Sequence, residues 1–190
     1  MFVAYHREKL INAILFFATN TCYCGKIKLI KLLFLLDFTH FRQTGHSVTG
    51  FEYHAWELGP VPYDFYQEWD TLRADLAEAI DIVPEKVIDY TRELVRPKRE
   101  FDNGKFTKRE LKIMLSLAER FKEDMSKPLV NITHAERGPW AKIWDDGRGK
   151  NERIPYALAV EEHDANRESA LEMATLRAGI EETARATRNN

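Results

Sequence analysis

The sequence predicts an α+β fold: a mostly helical single domain around a buried central helix, with a small antiparallel sheet. The segment from Leu29 to Phe38 is apolar on nearly every side, and only Lys31 and Asp37 interrupt it. A helix with this pattern is buried all round. The segment from Phe51 to Trp56 then alternates as a half-buried strand does. Several later segments return to the apolar spacing of amphipathic helices.

Composition limits the class of protein. A chain of 190 residues fits one domain with an appendage. Its 44% hydrophobic and 12% aromatic residues are enough for a real core, which argues against disorder throughout. The net charge of −2 argues against a dedicated nucleic-acid binder. Two cysteines, Cys22 and Cys24, give no disulfide framework, so a reducing cytoplasm is the simplest location.

The other elements follow in chain order. Ile11, Ile14, Leu15 and Ala18 recur at helical spacing and predict a first amphipathic helix. Gly45 has the character of a C′ residue that ends the central helix. A third helix is predicted from Pro62 onward, and it presents one apolar face to the core. The apolar residues of that face are Phe65, Trp69, Leu72, Leu76 and Ala79.

The second half of the domain is predicted to mix short strands and helices. Residues 82–100 read as short β segments. Thr107 and Glu110 form a capping-box pattern that opens a helix. Ser126 is expected to cap a further short helix, and Pro139 to begin another. The apolar face expected for the helix after Thr107 consists of Leu111, Met114, Leu115, Ala118 and Phe121.

The last residues differ in composition from the rest. Beyond about Val160 the chain is rich in Ala, Glu and Arg and has almost no aromatic residues. We expect a domain over residues 1–160 and a helical C-terminal extension with a frayed end over residues 161–190. The apolar stripe of this extension is thin, so the helix needs a surface to lie on. Either its own domain or a partner could provide that surface.

The order of residues from Lys31 to Trp140 resembles the Panacea domain of the SocA-like antitoxins, a family of phage-associated proteins. The resemblance rests on Lys-Leu-Leu-Phe at 31–34, on Gly-x-x-x-Thr-Gly at 45–50 and on Ala-Trp-x-x-Gly-Pro-Val-Pro at 55–62. It continues through Thr-His-x-Glu at 133–136 and covers roughly residues 5–160. The motif residues, whose role is structural or partner-binding, are Lys31, Asp37, His40, Tyr53, Trp56, Gly59, Pro60, Val61, Tyr66, His134, Glu136, Pro139 and Trp140.

The resemblance implies a cytoplasmic antitoxin of a bacterial or prophage toxin-antitoxin system. Such a protein neutralises a cognate protein toxin by direct binding, without catalysis, cofactor or membrane attachment. Within the same family, a proteolytic adaptor delivers its toxin to a protease. That route requires a second docking surface, and the sequence does not identify one.

Three local patterns allow other readings. Cys22 and Cys24 form half of a zinc site, but the sequence has no second cysteine pair, so ordinary thiols are the simpler interpretation. His134 and Glu136 are two residues apart and would not face each other on a helix, so they form no acid–base pair by themselves.

The third pattern is basic. Eight basic and four acidic residues lie between Arg92 and Lys112. They suit a solvated protein face better than a nucleic-acid patch. A nucleic-acid-binding regulator, such as an operon autorepressor, is the alternative function that this pattern allows. Because the charges suit a protein face better, we expect nucleic acid not to be the partner.

Overall fold

The computed structural model describes residues 2–87, 90–135 and 138–188. Within them the chain forms an α+β single domain, as the sequence predicts. The strands form two separate two-stranded antiparallel sheets, β1 with β2 and β3 with β4, instead of the single small sheet that was expected. The helices and strands are α1 (Phe2–Asn20), α2 (Lys26–Thr44), β1 (Tyr53–Trp56), β2 (Gly59–Pro62), α3 (Tyr63–Glu68), α4 (Ala74–Ala79), β3 (Ile80–Val87), β4 (Tyr90–Pro97), α5 (Lys108–Arg120), α6 (Ser126–Thr133), α7 (Pro139–Trp144) and α8 (Arg167–Arg188).

Helix α2 is the centre of the fold. It contacts α1, α5, α6, α8, β2 and β4. Its apolar residues, such as Leu29 and Leu33, are fully buried. Gly45 ends it in the left-handed conformation (φ +76°), and its N–H donates to the Phe41 carbonyl, as a C′ glycine does. The central-helix prediction is therefore confirmed.

The predicted third helix is two short helices, α3 and α4, separated by a turn. The turn is held by ionic contacts that the apolar spacing does not reveal. The Arg7 guanidinium on α1 donates to both Glu68 and Asp75, and the Arg73 N–H also donates to Glu68. The side chains of Phe65 and Leu76 are still buried, so the predicted apolar face survives the break.

Helix α5 begins as predicted, with both hydrogen bonds of the Thr107–Glu110 capping box present. Most of its expected apolar face is confirmed, because Met114, Ala118 and Phe121 are buried and Leu111 is half-buried. Leu115 is 57% exposed, whereas Ile113 is buried. The start of the helix also carries a buried ion pair, in which the Glu110 carboxylate lies 2.5 Å from the Lys9 Nζ.

The chain after α7 returns to the central helix. A 3-10 turn over Tyr156–Ala159 packs against α2, and α8 lies beside the C-terminal end of α2. The division into a domain of 1–160 and an extension of 161–190 stays a prediction. None of the helices that the structure describes has the length and apolarity needed to cross a bilayer.

Candidate functional site

The β1–β2 hairpin forms a rigid corner on the surface. The two strands pair from Tyr53 opposite Pro62 to Trp56 opposite Gly59. On the other edge of β1, the Ala55 N–H donates to the Glu152 carbonyl at 2.9 Å, so this edge is also paired. Gly59 has φ +100°, a conformation that glycine adopts without strain. Both features fix the position of the hairpin turn.

Lys31 of α2 lies directly beneath this corner. Its side chain is 1% exposed, and its Nζ donates to the Pro60 carbonyl at 3.0 Å. Among the described residues, no carboxylate pairs with it. Burial lowers the pKa of Lys31 to about 7, because water no longer stabilises the charged ammonium. This lysine is therefore a costly group in the core.

His134 approaches Gly59 from a second direction. It caps the C-terminal end of α6, and its ring stacks on the Trp140 indole with centroids 3.8 Å apart. The His134 Nε2 atom is buried beside the hairpin turn. A Cβ on Gly59 would lie 2.7 Å from this nitrogen and 2.6 Å from Lys31 Nζ. Burial lowers the pKa of His134.

Trp140 completes the arrangement, because its Nε1 donates to the Trp56 carbonyl at 2.9 Å. Motif residues from α2, the hairpin, α6 and α7 thus converge on one place. We call this set the corner site: Lys31, Trp56, Gly59, Pro60, His134 and Trp140. The buried nitrogens of Lys31 and His134 both lie close to Gly59 in the hairpin turn.

A second group of motif residues lies elsewhere along α2. The Asp37 carboxylate is fully buried and accepts hydrogen bonds from Val48 N, Thr49 N and Tyr53 OH at 2.7–2.9 Å. This group joins α2 to the connection that leads into β1. His40, one turn further along α2, contacts the same connection, with Nδ1 2.8 Å from the His46 carbonyl, and burial lowers the pKa of His40. Neither residue is part of the corner site.

The remaining motif residues have separate positions. Val61 is buried in β2, and Pro139 is the first residue of α7. Tyr66 is half-buried, with Lys26 Nζ 3.6 Å from its ring centroid. Glu136 lies outside the described residues.

Two exposed residues beside the corner site were not among the sequence candidates. Leu58, in the hairpin turn, is 65% exposed, and Tyr63, at the start of α3, is 48% exposed. The Tyr63 ring lies 6.4 Å from Trp56, whose ring lies 4.9 Å from Tyr66. We call these four residues the hairpin patch. An apolar residue in a tight turn was the signal that could have identified it.

The described residues contain neither a metal site nor an unpaired basic run of the kind considered from the sequence. Cys22 and Cys24 are free thiols, and no group of three potential metal ligands is present in that part of the chain. Members of the basic run are paired with acids, which fits a solvated protein face. The pairs include Arg92 with Glu85, Lys98 with Asp81, and Lys105 with Glu8.

A family comparison gives the geometry its context. The family described as antitoxin SocA-like, Panacea domain, matches residues 29–141, more than half of the chain. The protein belongs to the SocA-like antitoxin family. The match spans α2, the hairpin, α6 and the start of α7, and so contains the whole corner site. Comparison with curated proteins and with solved structures gives no match.

Gly59→Ala tests the packing of the corner site. We expect it to lower the free energy of unfolding by about 1–3 kcal/mol, because alanine at φ +100° is strained and its Cβ would overlap Lys31 Nζ and His134 Nε2. Urea denaturation measures the change. Gly179→Ala in α8 is the control, since a Cβ there meets no atom within 4 Å and should stabilise the helix slightly. Equal stability of Gly59→Ala and wild type would contradict this account of the corner.

Proposed function

We propose that this protein is the antitoxin of a bacterial, prophage-associated toxin-antitoxin system and neutralises its cognate protein toxin by direct binding in the cytoplasm. The observation that carries the proposal is the family match over residues 29–141. In this proposal the protein is not an enzyme: it acts by covering or constraining the toxin. A family assignment to antitoxins supports a protein partner better than a nucleic-acid one.

The hairpin patch is the surface that best suits such a partner. Its aromatic residues are of the kind enriched at the centres of protein interfaces. They are also held in place before contact, because Trp140 anchors the Trp56 backbone and Lys26 lies over Tyr66. A pre-positioned aromatic group loses little conformational entropy on binding. In this proposal the buried motif residues of the corner site have a structural role, which is to hold the hairpin patch rigid.

The area of the patch sets a limit on this role. A stable protein interface buries about 800 Å² on each partner. Four side chains, two of them half-buried, are the centre of such an interface and not its whole. Further contacts with the toxin must lie around the hairpin or on another part of the surface.

Co-expression with the adjacent reading frame tests the proposal. We expect that frame to be lethal alone, growth to be restored by this protein, and the two products to co-purify. Persistent lethality with both proteins soluble and abundant would contradict the proposal. A steep loss of the protein's binding to nucleic acid with added salt, without toxin binding, would indicate the regulator instead.

Substitutions then locate the contact. Leu58→Ser combined with Tyr63→Ser should abolish rescue while the melting temperature stays unchanged, because both side chains are exposed. Leu115→Ser is the matched control, since Leu115 is equally exposed but lies on α5. Rescue that survives the double substitution would place the toxin elsewhere.

A further inference from the structure

An open cleft lies between the turn that joins α1 to α2 and the strand β4. Its volume is about 240 Å³, more than a single water molecule occupies. One wall is the face of β4 that carries Arg92, Leu94 and Arg96 at alternate positions. The Val95 N–H donates to the Cys24 carbonyl at 2.9 Å and joins this wall to the turn. We call this site the β4 cleft, and its main lining residues are Cys22, Tyr23, Glu85, Arg92, Leu94 and Arg96.

Tyr23, in the turn, has a backbone conformation that a bulky side chain seldom adopts. Its φ of +55° lies in the left-handed region. Hydrogen bonds hold the turn in this shape: the Gly25 N–H donates to the Tyr23 carbonyl, and the Cys22 N–H donates to the Lys122 carbonyl, both at 2.8 Å. From behind the turn, the buried Lys28 Nζ donates to the Cys22 carbonyl at 2.7 Å. Strained residues of this kind cluster at functional sites.

The strained turn places the Tyr23 ring, which is 45% exposed, under the guanidinium of Arg92. The Arg92 Cζ atom lies 4.4 Å from the ring centroid. The Arg92 Nε donates to the carboxylate of Glu85, which stands opposite Arg92 on β3. These two contacts fix the side chain of Arg92, and its terminal Nη atoms make no hydrogen bond within the described residues. The remaining edge of the guanidinium is a planar pair of donors that matches the two oxygens of a carboxylate.

The other charges on the rim favour a ligand with a single negative charge. Arg96 is exposed and makes no ion pair in the part of the chain that the structure describes. Asp81 stands opposite Arg96 on β3, but its carboxylate lies 3.3 Å from Lys98 Nζ instead. Two arginines and Glu85 give the rim a formal charge of +1. A carboxylate matches this charge, whereas a phosphate dianion would place excess negative charge beside Glu85.

We propose that the β4 cleft binds a carboxylate group carried on a short aliphatic stem. The Arg92 Nη atoms hold its two oxygens, and Arg96 adds a second positive charge. The stem lies on the buried side chains of Leu94 and Val95. The carboxylate belongs either to a free small acid or to an acidic residue of a partner protein, since both present the same group. This inference does not depend on the proposed function.

Titration of the full-length protein with butyrate tests the site, and butyramide is the neutral probe of the same shape. We expect butyrate to shift the backbone amide NMR signals of Cys24, Leu94 and Val95 with a dissociation constant on the order of 1 mM. Butyramide should leave these signals in place, and inorganic phosphate should bind more weakly than butyrate. The inference would be overturned by equal shifts from butyrate and butyramide, by no shift with butyrate, or by tighter binding of phosphate.

Arginine variants assign the binding to the cleft. Arg92→Gln should weaken butyrate binding about 10-fold, because it removes a charged pair of donors. Arg96→Gln should weaken it roughly 3-fold through the loss of an exposed charge. The fold should survive Arg96→Gln, since Arg96 has no ion-pair partner within the described residues. Arg148→Gln is the matched control: it removes an exposed arginine from the segment after α7 and should bind butyrate as the wild type does. Wild-type affinity in both cleft variants would overturn the inference.

The growth-rescue assay then separates the two sources of the carboxylate. Loss of rescue by Arg96→Gln at the wild-type melting temperature would show that the carboxylate belongs to the toxin. Full rescue by both cleft variants, with weakened butyrate binding, would show that the ligand is a free small acid. Either result supports the site only together with butyrate binding by the wild type. Without that binding the inference fails, and the proposed function is unaffected.

Discussion

Replacement of Asp37 by alanine is expected to lower the free energy of unfolding by about 3–5 kcal/mol. Each buried donor that is left without a hydrogen-bond acceptor costs about 1–3 kcal/mol. The carboxylate is fully buried and accepts from Val48 N, Thr49 N and the Tyr53 hydroxyl. Alanine leaves these donors without an acceptor and frees the connection between α2 and β1. Urea denaturation near neutral pH measures the loss. A loss below about 1 kcal/mol would show that the network contributes little.

The control, Asp37→Asn, also gives a test of pH dependence. Burial raises the pKa of Asp37 to about 6, so the folded protein holds this proton more tightly than the unfolded chain does. The stabilisation from protonated Asp37 is complete below the unfolded pKa near 3.8 and is lost as the pH rises through 6. Relative to Asp37→Asn, which does not titrate, the wild type should therefore gain about 2 kcal/mol between pH 7 and about pH 4.5. A difference that does not change with pH would contradict the assignment.

Local signals in the sequence were sufficient for the elements that depend on few residues. The unbroken apolar run of α2 has no stable position except the core, and Gly45 supplies the left-handed residue that ends it. The capping box at Thr107 is complete within four residues. Such features act between neighbours along the chain. Sequence reasoning can therefore find them without knowledge of tertiary contacts.

Two of the departures from prediction, the break in the third helix and the exposed Leu115 of α5, lie beside contacts between residues distant in sequence. Glu110 at the start of α5 pairs with Lys9, 101 residues away, and Leu115 of the same helix is exposed. Arg7 holds the turn that divides the predicted third helix. Neither contact leaves a periodic pattern. The corner site is a further case, because the position of His134 beside Gly59 follows only from the packing of α6 against α2 and β2.

Two buried lysines on α2, one turn apart, should respond in opposite directions to replacement by methionine. Lys28 Nζ donates to the carbonyls of Cys22, Phe121 and Asp124 at 2.6–2.8 Å, whereas Lys31 Nζ donates to the Pro60 carbonyl alone. Burial lowers the pKa of both lysines. The two lysines differ in the number of carbonyl acceptors that replace the hydrogen bonds to water lost on burial. Lys28→Met should therefore destabilise the protein, since it strands several carbonyls.

Lys31→Met should instead raise the free energy of unfolding near pH 7. Keeping an amine of ordinary pKa 10.5 in a site where it falls to about 7 costs roughly 4–5 kcal/mol at neutral pH, and methionine removes this cost. The substitution also leaves the Pro60 carbonyl without its hydrogen bond, which offsets about 1–3 kcal/mol of this stabilisation. The folded wild type binds fewer protons than the unfolded chain between pH 7 and 10.5, so its stability rises with pH across this window. The advantage of methionine should therefore be largest near pH 7 and shrink toward pH 10.

The value of this substitution lies in separating stability from function. A residue that costs stability yet holds the Gly59–Pro60 corner is expected to serve the surface above it, as functional sites often do at the expense of stability. We expect Lys31→Met to melt higher than wild type and to rescue growth less well, because Leu58 and Tyr63 lose the support beneath them. A variant that melts higher and rescues fully would show that Lys31 is dispensable for toxin binding. A variant that melts lower would show that its hydrogen bond to Pro60 outweighs the cost of its burial.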